Sequence, residues 1–535
     1  MVLDATPSRW WSDGVLYQIY PRSFMDSNGD GIGDLQGVIE RLDYLAWLGI
    51  DGIWLNPTMP SPNADWGYDV ADYRAVHSDL GTQRDLDALV AEAGRRNIRV
   101  LLDLVPNHTS NRHPWFVDAL TGRDSEHRDY YVWADPKPDG SPPNNWQSVF
   151  GGEPAWELDP ASGQYYLHNF LREQPDLNWW NERVRAEFDD ILRYWFDRGI
   201  AGFRIDVAHS IIKDSELRDN PAASASDDVH ARRVGQVAEF NMNRPEVHEV
   251  LRRWRAIADG YEPSRILVGE TYVLEVERLV TYYGSGSDEL HLAFNFPFAH
   301  VPFDGESLRA IVETTESLLP RGAWPVWTGS NHDVGRFATR WCDGDERKCR
   351  LALMLLLTLR GTPFLYYGDE IAMAETPFSL EEMRDPIGRR FWPDANAGRD
   401  GCRTPMQWSA EQGAGFTDPG AVPWIKLGDH KGHNVEQQRD DPNSVLNLTR
   451  ALIALRRSSK ELTTGDYSSL ESPPGVWSFT RGGRFTVALN MSEPAQALNG
   501  VEGRVVISTD LTQESERVSS PLTLDPWQGL IIEAP

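Results

Sequence analysis

Three carboxylates stand where short apolar runs end: Asp206 in GFRIDVAHS, Glu270 in RILVGET and Asp333 after PVWTGSNHD. Carboxyls can serve as nucleophiles, as proton donors and as hydrogen-bond acceptors for a polar substrate, provided that their environments differ. Acidic side chains at the mouths of successive buried strands are where a parallel β/α barrel keeps its chemistry, so this pattern bears on fold and reactivity together.

The elements that must position them alternate in period. VLYQIY (15–20) precedes a helix-period stretch through Val38, Leu42 and Leu45, and GIWL (52–55) precedes another through Leu86, Leu89, Val90 and Ala93. RVLLDLV (99–105), GFRID (202–206), ILVG (266–269), LAFNF (292–296), PVWT (325–328) and PFLYY (363–367) continue the series. Eight strand–helix units with strands apolar on both faces predict an α/β chain folded as a closed (β/α)8 barrel of the TIM type. The gap between the third and fourth strands is too long for a loop and is rich in Trp, Tyr, Pro, Gly and Asn, which predicts an irregular inserted domain over 109–180. Segments 210–245 and 371–430 read as further elaborations on the same face. VWSFT, RFTVALN, RVVIST and LTLDPWQGLIIE have no helix between them and predict a C-terminal antiparallel β-sandwich over 460–535. The barrel domain is then 1–108 with 181–459.

At 535 residues the chain is too long for one ordinary core, and its 40% hydrophobic residues suffice to bury a large one. A formal net charge of −28 excludes partners held through phosphates, so no nucleic acid is expected and a neutral substrate fits. Cys342, Cys349 and Cys402 are sparse and odd in number, which points to a reducing compartment without a disulfide framework, and neither they nor any His cluster has zinc-site spacing. MVLDATPSRWWSDG carries no secretory signal, and the longest apolar run, LALMLLLTL (351–359), is too short to span a membrane and reads as a buried helix. A cytoplasmic monomer is expected.

DLVPNH (103–108), GFRIDVAH (202–209), LVGE (267–270) and SNHD (330–333), in this order, resemble the signature segments of glycoside hydrolase family 13, the α-amylase family. QPDLNWW (174–180), GIDGIWLNP (49–57), GTPFLYYGDE (361–370) and RTPMQW (403–408) resemble its α-glucosidase and oligo-1,6-glucosidase branch, and the similarity covers nearly the whole chain. Breaking a glycosidic bond requires one carboxyl to attack the anomeric carbon while a second, kept protonated, delivers a proton to the leaving oxygen. The resemblance implies Asp206 as nucleophile, Glu270 as general acid/base and Asp333 as the group that holds substrate hydroxyls. Arg204, two residues before Asp206 on one strand, projects to the same side and is expected to keep it ionised, while Glu270 lies at an apolar strand end suited to holding a proton. His108 and His332 resemble the pair that hydrogen-bonds sugar hydroxyls, Asp65 and Tyr68 in ADWGYD the pair that grips the terminal glucose, and Arg403 an arginine reaching the same subsite. Phe150 and Phe170 match residues that wall the pocket. Most of the 21 Trp residues are expected in the core or between domains.

DSNGDGIGD (26–34) places oxygen-bearing side chains at alternate positions with Gly at the sixth, the first half of a calcium loop without its terminal Glu. With the resemblance to α-glucosidases that carry an ion here, the expected ligands are Asp26, Asn28, Asp30, the Ile32 carbonyl and Asp34, holding a structural Ca2+ or Mg2+; the competing reading is an Asx-rich turn that caps the next helix. No cofactor is expected for catalysis.

The activity so implied is that of a retaining exo-acting α-glucosidase removing glucose from the non-reducing end of short α-glucosides, with transglucosylation when a sugar hydroxyl replaces water. Val207, directly after the nucleophile, is a residue that the branch often carries when it accepts α-1,6 bonds. The insert containing SIIKDSELRDNP resembles enzymes acting on maltose-sized α-1,4 substrates, the linkage favoured here; isomaltose-type hydrolysis and glucosyl transfer or isomerisation are the alternatives. The heavy-chain subunits of amino-acid transporters share this fold without catalysis, but need a transmembrane helix that this sequence lacks.

Overall fold

The computed structural model describes residues 9–394 and 398–535. In chain order, β1 (Leu16–Ile19), β2 (Gly52–Leu55) and β3 (Arg99–Leu104) are followed by three short strands, β4 (Trp133–Ala134), β5 (Trp156–Asp159) and β6 (Gln164–Leu167). Then come β7 (Gly202–Ile205), β8 (Ile266–Gly269), β9 (Leu292–Ala293), β10 (Val326–Thr328) and β11 (Thr362–Tyr366). All eight expected strands form one parallel sheet in the order β10-β11-β1-β2-β3-β7-β8-β9. A parallel bridge between Phe294 and Val326 joins its two edges, so the sheet is a closed barrel.

The strand period of two explains how the site is built. One set of alternate residues, among them Leu16, Trp54, Leu101, Ile266, Val268, Leu292, Val326 and Phe364, packs together as a single apolar cluster. The alternate set, including Tyr17, Ile53, Leu55, Val100, Leu102, Phe203, Ile205, Leu267 and Leu365, belongs to the larger cluster shared with the helices. Followed toward the carboxyl ends of the strands, the first set turns polar: Leu16 gives way to Gln18, Trp54 to Asn56, Leu101 to Asp103 and Val268 to Glu270, all buried. Arg204 and Asp206 fall in the same phase on β7. The acids thus converge because their strands are in register, with Asp103 paired to Arg204 and Arg204 to Val268.

Five of the outer helices begin on side-chain caps. Thr82 and Asp85 form a reciprocal capping box on Gln83–Arg95, and Asn181, Asp304, Asp345 and Ser444 cap Glu182–Asp197, Gly305–Leu318, Glu346–Thr358 and Val445–Ser458. The apolar run 351–359 lies within and just after Glu346–Thr358 and is buried throughout. No helix among the described residues is long and apolar enough to cross a membrane.

Strands β4–β6 pair antiparallel in the order β4-β6-β5 within the long β3–β7 connection. At the C-terminus, β12 (Tyr467–Leu470), β13 (Val476–Arg481), β14 (Phe485–Asn490), β16 (Gly503–Ser508), β17 (Arg517–Val518) and β19 (Gly529–Glu533) form an antiparallel sheet, while β15 (Gln496–Leu498) and β18 (Leu522–Leu524) form a ribbon. Val476, Ala488, Leu530 and Ile532 pack with Leu498, Leu522 and Leu524 of the ribbon, and the alternate residues Trp477, Phe479, Val487, Leu489 and Ile531 join the main core. This is the expected sandwich, one face turned to the ribbon and the other to the barrel.

Candidate active site

Arg204 is the hub of the barrel mouth. Its Nη1 donates to Asp103 Oδ1 and to Asp206 Oδ1, each at 2.7 Å, and its Nη2 donates to Glu270 Oε2 at 2.5 Å. One guanidinium therefore serves three buried carboxyls, which alters the sequence expectation. Burial pushes Asp206 well above the usual carboxylate range; Arg204 opposes this, while Glu270, Asp103 and Asp333 push it further. Burial likewise raises Asp103 to about 7 against the pull of Arg204 and the hydrogen bond from Tyr68. Arg204 is thus divided among three acids, and its pull on Asp206 is set against burial and the neighbouring carboxyls. Nor does Glu270 end in apolar surroundings, since its Oε2 also accepts the Val207 N–H at 2.9 Å.

Asp103, quoted with DLVPNH but given no role from sequence, ends a relay. The Gln18 amide donates to His332 Nδ1 (2.8 Å), leaving Nε2–H to meet the Tyr68 hydroxyl (2.5 Å), which in turn donates to Asp103 Oδ2 (2.9 Å). Tyr68 and His332 also stack face to face at 5.4 Å. Burial drives the His332 imidazole well below its ordinary range, with Asp333 opposing and Arg403, Arg204 and Arg399 reinforcing, in keeping with the neutral tautomer that this relay requires.

A second cluster has the opposite balance. Asp333 Oδ1 accepts from Arg403 Nη2 (2.8 Å) and Arg399 Nη1 (3.2 Å), and Oδ2 lies 3.1 Å from His332 Nε2. Withdrawal from water would raise this carboxyl, but the His332 Nε2–H beside Oδ2 and the charges of Arg399, Arg403 and Arg204 hold it well below the usual range. Arg399 Nη2 also meets Asp65 Oδ1 and Asp385 Oδ1, both at 2.7 Å, and its guanidinium lies 5.4 Å from the Phe150 ring centroid. Here three acids share two arginines.

Arg403 lies in this second cluster, with a further arginine beside it. It reaches Asp333 and, through Nε, the His332 carbonyl (2.9 Å), but the arginine that meets Asp65 is Arg399. Three residues separate the two in GRDGCR, and no motif distinguished them. Gln174, at the head of QPDLNWW, was also missed; its Nε2 donates to Asp65 Oδ2 at 3.2 Å. His108 is buried, receives the Asn107 amide on Nδ1 (3.0 Å) and points Nε2 at the Tyr68 carbonyl (3.0 Å); burial lowers it to about 4. Phe150 and Phe170 meet edge to face at 5.4 Å and pack with Leu171 and Val207 as a small apolar wall beside Asp206.

Three loops join around this mouth. The insert meets segment 210–245 through Asn145 and Trp146, which bond Asp219, Asn220 and Arg218. It meets the loop after β11 through Arg390, which bonds the Gly151 carbonyl and Glu153. Arg233 reaches Asp394 at 3.1 Å.

In the 26–34 loop, oxygen-only donors suit a hard divalent cation. As folded, Asp26 accepts N–H bonds from Asn28, Gly29 and Gly31 and the Thr417 hydroxyl, Asn28 and Asp30 each accept an N–H two residues on, and Asp34 caps Leu35–Glu40 through Gly37 N–H. Among the described residues no three acidic, His or Cys side chains are arranged to hold a metal. The Asx-turn and capping reading accounts for these contacts.

A closed barrel with carboxyls on the ends of β7 and β8 and after β10 places its acids where such barrels carry their chemistry, and a pair of carboxyls is what cleavage of a glycosidic bond requires. The chain belongs to the α-amylase family: the model for the α-amylase catalytic domain matches residues 18–465. It is 42% identical over 530 residues to the "Probable alpha-glucosidase" of Rhizobium meliloti (strain 1021), covering 94% of this chain and 95% of that one. It is 38% identical over 526 residues to the oligo-1,6-glucosidase of Heyndrickxia coagulans, covering 91% and 93%. The crystal structure of the α-glucosyl transfer enzyme XgtA superposes with a TM-score of 0.90 at 38% identity, over 98% of this chain and 99% of that one.

Proposed function

We propose that this enzyme is a retaining α-glucosidase that releases glucose from the non-reducing end of short α-glucosides, α-1,4 bonds favoured. Asp206 attacks the anomeric carbon, and Glu270 protonates the departing oxygen and then deprotonates the incoming water. Asp333, Asp65, Arg399, His108 and His332 hold the terminal sugar, with Tyr68, Phe150 and Phe170 as its walls and Arg204 and Arg403 orienting the acids.

The observation that carries this reading is the bridging of Asp206 and Glu270 by the two Nη atoms of one guanidinium. Such a bridge favours the short separation of roughly 5–5.5 Å at which the second carboxyl acts as nucleophile, rather than the wider gap that admits a water between them. The joined loops favour a pocket over an open cleft, hence short substrates and exo action.

Transfer is the second reading. An acceptor sugar in place of water resolves the same intermediate, and the 38% identity to a glucosyl transfer enzyme supports it. Val207 favours α-1,6 acceptance and the 210–245 insert favours α-1,4. A panel of maltose, isomaltose, sucrose, trehalose, kojibiose, nigerose and maltotriose, with hydrolysis and transfer products followed together, tests the proposal. Maltose as the best substrate with glucose as main product supports it, and preferred isomaltose cleavage or isomerised sucrose overturns the linkage or the reaction type. We further propose a cytoplasmic monomer whose 26–34 loop takes up a structural Ca2+ or Mg2+. A melting temperature that rises with millimolar Ca2+ supports the ion, and one indifferent to both Ca2+ and chelator removes it.

A further inference from the structure

We infer that the three residues after Asp206 form a positioning device for the proton donor, fixing which oxygen of Glu270 carries the proton; this rests on Glu270 being that donor. Val207 has φ 35° and ψ 50°, the left-handed region, at a β-branched residue. Such a conformation persists only where the surroundings impose it. Here it turns the Val207 N–H onto Glu270 Oε2 at 2.9 Å, while the side chain is held in the Phe150, Phe170 and Leu171 wall. The next amide, Ala208 N–H, donates to the Glu270 main-chain carbonyl at 2.9 Å. His209 Nδ1 lies 3.3 Å from both the Tyr272 N–H and the Glu270 carbonyl, and its tautomer decides which of the two it bonds. Three consecutive residues thus hold the segment that bears the acid at three points.

The chemical consequence lies in the two carboxyl oxygens. Oε2 faces two donors, Val207 N–H and Arg204 Nη2–H, so a proton on that oxygen would meet N–H groups head-on. The transferable proton is confined to Oε1. Because Val207 also lines the apolar wall, a sugar that displaces the wall acts on the alignment of the acid through one backbone unit.

The test separates acid alignment from general integrity by leaving group. A departing oxygen that is already a stable anion needs little protonation, whereas an alkoxide needs it fully. Incorporating α-hydroxyisovaleric acid at position 207 replaces the amide by an ester and deletes that N–H while keeping the side chain; His209→Ala removes the third hold independently. With alkyl α-glucosides each variant is expected to lose on the order of tenfold in kcat/KM, and with 4-nitrophenyl α-glucoside the loss shrinks to about twofold. Equal losses on both substrates, or no loss on either, overturn the inference. Glu270→Gln run alongside keeps the two levels apart: if it shows no dependence on leaving group, the assignment of Glu270 fails, and if it alone shows the dependence, only the positioning role fails.

Discussion

Replacing Arg399 by Met tests the second acid cluster. The substitution keeps much of the aliphatic stem against Phe150 but removes the donors that Asp65, Asp385 and Asp333 share. The three acids do not lose equally. Asp333 keeps Arg403, and Asp385 keeps the N–H groups of Ile387, Gly388 and residue 399 itself. Asp65, 3% exposed, keeps Gln174 but loses the guanidinium bonded to its carboxyl. Breaking a buried pair costs about 3–5 kcal/mol. The retained partners place this case near 3 kcal/mol, part of it relieved by proton uptake on Asp65, which burial already raises against Arg399 and Arg403. A protonated Asp65 no longer accepts a charge-assisted hydrogen bond from the sugar, worth about 1.5–3 kcal/mol, so kcat/KM should fall roughly 10- to 100-fold. Initial rates on 4-nitrophenyl α-glucoside give that ratio, and circular dichroism gives the accompanying drop in melting temperature. A folded variant within about threefold of the parent enzyme would refute the claim that the Asp65–Arg399 pair grips the terminal sugar.

Two further predictions concern buried titratable groups. Lys213 Nζ lies 2.8 Å from Asp176 Oδ2 and donates to Asn107, the partner of His108, so Lys213→Met should destabilise by about 3–5 kcal/mol in urea, and Lys213→Met with Asp176→Asn should recover part of it. No recovery would mean that the ion pair is not what holds this corner. His113 caps Pro114–Ala119 by accepting Trp115 N–H, and burial lowers it to about 3. The unfolded chain gains a proton there below about pH 6.5 while the folded protein does not, so stability is lost as pH falls through that window. His113→Asn retains a capping oxygen without the titration, and its stability relative to the parent should improve by about 2 kcal/mol between pH 7.5 and 5; a pH-independent difference would contradict this.

Much of this was legible in the sequence because the barrel is written in local patterns. Apolar runs placed all eight strands, and a period of two carried Arg204 and Asp206 to one side. What sequence did not reveal depends on packing between distant segments. Arg399 meets Asp65 across 334 residues, through a loop that obeys no period. The sharing of Arg204 among Asp103, Asp206 and Glu270 follows from strand register, which brings two further acids to the cation that the sequence paired with Asp206 alone. The left-handed turn at Val207 left no trace, since the usual sign, a glycine, is replaced by a β-branched residue held in place by its surroundings.

The central claim is a covalent glucosyl-enzyme on Asp206. A fluorinated α-glucosyl fluoride, which forms such an intermediate faster than it is hydrolysed, followed by peptide mass spectrometry of the inactivated enzyme, tests it most directly. The account predicts one glucosyl adduct per chain, on the peptide containing Asp206 and abolished in Asp206→Ala; turnover without any adduct, or an adduct on Glu270, would contradict it.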